Sequence, residues 1–361
     1  MTQSLPLELQ AANHTNTRFK SLRHRLTLAC LLASVLAACG TPPPVVSANP
    51  TLTTLSKPAA PAAPQRLVSG LTGSFGSTIG PDGALYVTLT LDGSIRRVDP
   101  KTGAVSTFAS GLPTPFVPEN GVGVVDVAFI GHTAYALVTL VGPDYGGNSP
   151  VGIYRIDGPN SFTLFADIGA FSLAHPPKPA FFVPTGAQQA IEPFRGGFLV
   201  TDAHHNRVLQ VTKDGEVSEL IAFGNIVPTG LAIAGNAVYV AEAGPIPHLP
   251  QNGKVVAFRP GDKAATQVAA GARLLVDVKF GRGRTLFALA QGFWNGPYEG
   301  TPADPNTGSL VRANSDGTFT AVASPLDRPT SMEIIGNTAY IVTLGGEVWT
   351  VDNIASPPFG K

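Results

Sequence analysis

Cysteine is nearly absent from this chain. Two occur in 361 residues, Cys30 and Cys39. Charge is also scarce, at 13% of residues, and the 24 basic side chains balance the 24 acidic ones. No basic stripe is present, which excludes nucleic acid and an anionic membrane surface as partners. The sequence has no Gly-x-Ser-x-Gly elbow, no His-Glu-x-x-His and no Walker-type phosphate loop, so the common hydrolase and nucleotide signatures are missing. Long segments with a 3.6-residue apolar period are missing too. What is abundant is Gly (40) and Pro (33), the composition of many short strands joined by turns.

The N-terminal stretch reads as an export signal. Arg18, Lys20, Arg23, His24 and Arg25 precede the apolar run Leu26–Ala38, which is too short to span a bilayer and suits an h-region. It ends Leu36-Ala-Ala-Cys-Gly40, which resembles the lipobox of bacterial lipoproteins. That resemblance implies removal of residues 1–38 and acylation of Cys39, with the protein held at the cell envelope by its lipid alone. Cys30 would leave with the signal. The sole mature cysteine would then be the acylated terminus, leaving no intrachain disulfide and no nucleophilic thiol. Residues 39–64, rich in Pro, Ala, Ser and Thr, read as a tether.

From Gln65 a unit recurs about every 45–50 residues, a propeller-blade period. Its clearest copy runs from Phe198 to Val211, where two short apolar strands flank the polar turn Asp202–Arg207. Second strands fall at 85–88, 134–139, 198–201, 238–241, 286–290 and 339–343. Third strands fall at 95–98, 153–156, 208–211, 255–258, 310–312 and 348–351. Six of each predicts an all-β, six-bladed propeller spanning 65–361. Fourth strands are visible in five units. The sixth unit lacks one, and Gln65–Leu71 matches the missing strand in character, so it is expected to complete the last blade and close a monomeric ring.

Strand alternation sorts the connections onto two faces. Turns such as Gly80–Gly83, Gly235-Asn236 and Ser315–Gly317 are minimal and form one face. The other carries long links, 140–152, 242–254 and 291–309, and variable loops on a fixed scaffold usually build the binding site. This long-loop face collects the candidate ligand-binding residues His204, His205, Glu242, His248, Gln291, Phe293, Trp294 and Tyr298, together with His175, Tyr145, Phe181 and Phe182. Aromatic and polar groups together suit a small organic ligand, a glycan or a protein. Asp202, Arg207 and Asn206 are expected to hold their own turn. On the innermost strands, Gly76, Asp126, Gly186, Gly230, Asp277 and Ser331 align around the axis. Asp126 and Asp277 stand in opposite blades, where they could hold a divalent cation, Ca²⁺ or Zn²⁺, in the central channel.

The turn Val200-Thr-Asp-Ala-His-His-Asn-Arg-Val208 resembles NHL-type propeller repeats. The domain as a whole is similar to the ScyD/ScyE family of propeller proteins. The likeness is carried by Val125–Phe129, Val183–Gly186, Thr201–Arg207, Gly224–Gly230, Ala241–Pro250, Leu274–Val278, Pro305–Gly308 and Arg328–Ser331. It implies an exported six-bladed propeller without implying an enzyme. Two functions follow as expectations: a non-catalytic, lipid-anchored binding protein that uses the long-loop face, or a metal-dependent hydrolase similar to the SMP-30 gluconolactonases with a cation in the channel.

Overall fold

The computed structural model describes residues 60–116, 121–357 and 359. The signal segment, Cys39 and the tether up to residue 59 lie outside the described residues. The chain opens with β1 (Gln65–Val68) and then builds blade one from β2 (Ser74–Ile79), β3 (Leu85–Leu89), β4 (Ser94–Val98) and β5 (Val105–Ala109). Blade two holds β6 (Gly123–Ile130), β7 (Thr133–Thr139), β8 (Gly152–Gly158) and β9 (Ser161–Asp167). Blade three holds β10 (Gln188–Phe194), β11 (Gly197–Asp202), β12 (Arg207–Val211) and β13 (Val217–Ala222). Blade four holds β14 (Pro228–Ala234), β15 (Ala237–Glu242), β16 (Lys254–Phe258) and β17 (Thr266–Ala270). Blade five holds β18 (Leu275–Phe280), β19 (Leu286–Ala290), β20 (Gly308–Ala313) and β21 (Phe319–Leu326). The sixth has β22 (Pro329–Ile335), β23 (Thr338–Thr343) and β24 (Glu347–Asp352), with β1 alongside β24. Gln65 stands opposite Thr350 and Val68 opposite Val348, antiparallel.

Each sheet is apolar on both faces because each is packed between two others. Val125, Leu137 and Ile153 of blade two meet Phe198, Val200 and Leu209 of blade three in one buried cluster. Each such side chain, taken fully out of water, contributes about 1.5–3 kcal/mol. The same sandwiching recurs at the other blade junctions. One short helix, α1 (Ile168–Ala174), interrupts the pattern in the link to blade three. Asp167 caps it by accepting the Ala170 N–H at 2.7 Å.

The feature that shapes the axis is a register shift in every innermost strand. It falls between Ser74 and Ser77, Val124 and Asp126, Gln188 and Ile191, Pro228 and Leu231, Leu275 and Asp277, and Pro329 and Ser331. Bulges re-aim side chains and sharpen local twist, here at the point where six strands crowd together. Close approach explains two glycines. A Cβ on Gly76 would lie 2.5 Å from Oδ1 of Asp126, and one on Gly230 would lie 2.5 Å from Oδ1 of Asp277. Gly230→Ala is therefore expected to cost about 2 kcal/mol through overpacking, read as a lowered thermal midpoint. A melting curve matching the parent's would refute the crowding.

The structure also corrects one expected alignment. Gly186 is not an axial residue. It precedes β10 at φ +78°, beside the Asp202 carboxylate, and Ala190 lines the axis in its place. Pro184-Thr-Gly186 lies ahead of its strand, whereas the like-sequence Pro228-Thr-Gly230 of blade four lies inside β14.

Candidate functional site

Two regions bring chemically active side chains together. The first is the axis. Asp126 accepts the N–H of Val127 at 2.9 Å and that of Ile191, in the next blade, at 2.9 Å. Asp277 repeats the arrangement half a ring away, with Val278 at 2.8 Å and Met332 at 2.8 Å. Each carboxylate thus satisfies bulge N–H groups that the sheet leaves unpaired, and stitches its blade to the following one. Beside them Lys279 Nζ reaches Oε1 of Glu192 at 2.6 Å and Oε1 of Glu333 at 3.0 Å, joining blades three, five and six.

Burial dominates the electrostatics here. It pushes Asp126 well above the usual carboxylate range, Asp277 to about 6 and Glu333 to about 7. For Lys279 burial works against the charge, but Glu192, Glu333 and Asp277 overcome it and hold the ammonium well above its ordinary value. The enclosed space is about 40 Å³ and is lined by Asp126, Asp277, Ser77, Ser331 and Lys279 among others. That is room for ordered water. Among the described residues, no group of three or more His, Cys, Asp or Glu gathers to hold a metal ion.

The second region is the long-loop face. In blade three the Asp202–Arg207 pair forms as the turn pattern suggests, with Arg207 Nε donating to Asp202 Oδ2 at 3.1 Å. The guanidinium does more than close the turn. Its Nη1 donates to the His175 carbonyl at 3.0 Å, and Nη2 to Ser172 Oγ at 2.9 Å and to His205 Nδ1 at 3.1 Å. Asn206 works outward rather than on its own turn. Its Oδ1 accepts the N–H groups of Ile226 and Val227, at 2.8 and 2.9 Å, in the link to blade four.

His204 and His205 are both buried, and both hold the peptide of Val183. Nε2 of His204 accepts the Val183 N–H at 3.2 Å, while Nε2 of His205 donates to the Val183 carbonyl at 3.0 Å. The remaining nitrogen of His204, Nδ1, faces Glu299 Oε1 at 3.4 Å. That contact brings a loop of blade five across to blade three, and the hydrogen bond to His204 holds the Glu299 carboxyl below its ordinary value.

Blades four and five complete the face. His248 is buried and its Nδ1 donates to the Gly244 carbonyl at 2.7 Å. Burial lowers its pKa, and its ring meets Trp294 edge-on at 5.7 Å. Trp294 Nε1 donates to the Thr301 carbonyl at 3.0 Å. Gln291 is buried and accepts the Ala303 N–H at 2.9 Å. Glu242 is 4% exposed, and burial pushes its carboxyl up to about 7, with Lys254 opposing. Phe293 and Tyr298 stand exposed.

This six-bladed ring has solved relatives. A gluconolactonase from Xanthomonas campestris matches with a TM-score of 0.56 at 15% identity, over 80% of this chain and 89% of that one. The PQQ-bound aldose sugar dehydrogenase from Streptomyces coelicolor matches with 0.53 at 14%, over 81% and 98%. A luciferin-regenerating enzyme matches with 0.54 at 11%, over 81% and 95%. At such identities the likeness is one of fold. No family model and no curated relative matches the sequence.

The long-loop face differs from the axis in what it leaves free. Among the described residues ten large hydrophobic side chains stand exposed. Seven of them, Leu91, Phe116, Leu173, Phe182, Ile246, Phe293 and Tyr298, lie on the links of this one face. Scattered single apolar groups are ordinary on a surface, but their concentration on one face is the mark of a contact surface. Several residues of this face carry no local sequence signal for their role. Glu299 is an acid in a Gly/Pro-rich loop. Asp144, which accepts from the Thr185 N–H at 2.9 Å, is another. At the axis Lys279 is legible in principle, because strand alternation puts it on the same side as Asp277.

Proposed function

We propose that this protein is a non-catalytic binding protein held at the cell envelope by an acylated Cys39, with the long-loop face as its working surface. One observation carries the reading: exposed aromatic and aliphatic side chains concentrate on that face, over loops from at least four blades. The tight-turn face offers no comparable set among the described residues. The competing reading, a hydrolase with Ca²⁺ or Zn²⁺ in the channel, would have to seat the cation beside the Lys279 ammonium, which lines the same cavity as Asp126 and Asp277.

Two variants separate the faces. Phe182→Asp/Tyr298→Asp puts charge on the loop face, and Asp82→Arg alters the tight-turn face. Each is purified from the native envelope beside the parent, and the co-purifying small molecules, glycans and proteins are compared by mass spectrometry. The loop-face variant is expected to lose a component that the Asp82 variant keeps. Identical profiles for the parent and the loop-face variant would reject the reading.

A further inference from the structure

We propose that Glu333, Lys279 and Glu192 form a pH-sensitive tie across the axis, closed while Glu333 keeps its proton and weakened once the proton leaves.

Three blades build the tie. Lys279 of β18 meets Glu192 of β10 at 2.6 Å and Glu333 of β22 at 3.0 Å. Blades three and six stand opposite each other in the ring, so the ammonium of blade five joins two blades across the axis. Blade six is also the one that β1 completes. The contact therefore holds the closing blade to the far side of the ring.

The balance of charge makes this tie sensitive to protons. Among the described residues four carboxyl groups face one ammonium: Asp126 from β6, Glu192 from β10, Asp277 from β18 and Glu333 from β22. Strands β2 and β14 bring Gly76, Ser77, Gly230 and Leu231 to the same space, and no charge. Tyr340, opposite Glu333 in β23, turns its hydroxyl away to the Pro100 carbonyl. The three partners are 12–24% exposed, and an enclosed space of about 40 Å³ admits little water to screen them. One ammonium cannot balance four carboxylates in such surroundings, so protons are retained on folding.

Geometry selects Glu333 as the group that holds a proton near neutrality. Glu192 has the shorter contact with Lys279 and the greater access to solvent, 24% against 12%. Burial raises the Glu333 carboxyl to about 7 against the pull of Lys279, and Glu192 and Asp277 add to the rise. A neutral Glu333 still accepts from Lys279 through Oε1, whereas an ionised one adds negative charge beside two other acids. The contribution to the closed ring is thus complete below the ordinary value of 4.5 and is lost as pH passes about 7.

Amide hydrogen exchange of β18 and β22 in the full chain reads the opening, once the base-catalysed chemical rate is divided out. Glu333→Gln keeps the shape and cannot ionise, and the remaining acids are common to both proteins. The opening constant of the parent relative to this variant is expected to rise about tenfold between about pH 6 and about pH 8. A second measurement needs no variant. The carboxyl-carbon NMR signal of Glu333, assigned through the chain, should titrate with a midpoint near 7. A midpoint below about 6, or an opening ratio that stays level with pH, would overturn the proposal.

Discussion

Replacing Arg207 by methionine is expected to destabilise the propeller by about 3–5 kcal/mol, the usual result of breaking a buried pair by removing one partner. Arg207 is 1% exposed and its donors serve Asp202, His175, Ser172 and His205. Methionine fills most of the stem but supplies none of these bonds. Asp202, fully buried, would keep the N–H groups of Ala187 at 3.3 Å and His205 at 3.4 Å and the His205 ring, whose Nδ1 lies 3.0 Å from its Oδ2, but none of these replaces the fixed charge of the guanidinium. Helix α1 would also lose its hydrogen bonds to the guanidinium, since Ser172 lies within it and His175 caps its C-terminus. In a domain of this size the loss should lower the melting temperature by on the order of 10 °C, measured by circular dichroism. The double variant Asp202→Asn/Arg207→Met should recover part of the loss, because no buried charge is then left alone. A single variant within about 1 °C of the parent would show that the guanidinium is dispensable.

That residue also shows how far the sequence can be read. The Asp-x-x-x-x-Arg spacing is visible, and so is its place at the end of one strand and the start of the next. The pairing of Asp202 opposite Arg207 follows from a two-residue period and a tight turn. What lies beyond the turn is not visible. The helix that receives the guanidinium is 7 residues long, too short for a 3.6-residue period to declare itself. The ring is legible because the second strand of each blade repeats the same two-faced burial, whereas the axis is only half legible. Counting places Asp126 and Asp277 in opposite blades, but bulges decide what a carboxylate meets, and a bulge has no reliable sequence signal. Both aspartates meet backbone N–H groups. In the sequence the histidine pair reads as two free imidazoles, yet folding buries both against Val183. A local pattern shows that a residue is polar and sits in a turn. It does not show that a distant loop will come to occupy it.

Glu242 is the buried acid whose removal should help. Its counterpart by strand register in blade three is Asp202: each ends the second strand of its blade and stands opposite a basic residue, Arg207 in one case and Lys254 in the other. In blade three the pair closes at 3.1 Å. In blade four Lys254 acts on Glu242 only through space, and burial prevails, raising the carboxyl from 4.5 to about 7. An acid raised on folding takes up a proton as the chain folds. Its favourable contribution is complete below the unfolded value of 4.5, declines as pH rises, and is lost once pH passes the folded value near 7. Each tenfold change in proton affinity is worth about 1.4 kcal/mol, so the cost above pH 7 is about 3 kcal/mol. Glu242→Gln keeps the shape and cannot ionise. It is expected to exceed the parent in stability by about that amount at pH 8 and to match it near pH 4. The difference between variant and parent, taken from urea unfolding at several pH values, cancels the groups the two proteins share, including Asp277 and Glu333 at the axis. It should therefore grow across the window from 4.5 to about 7 and stay flat above it. A difference independent of pH would mean that Glu242 is already ionised and paired in the folded protein. The blade-four pair would then be closed in solution as the blade-three pair is, and the gain at pH 8 would turn into a loss.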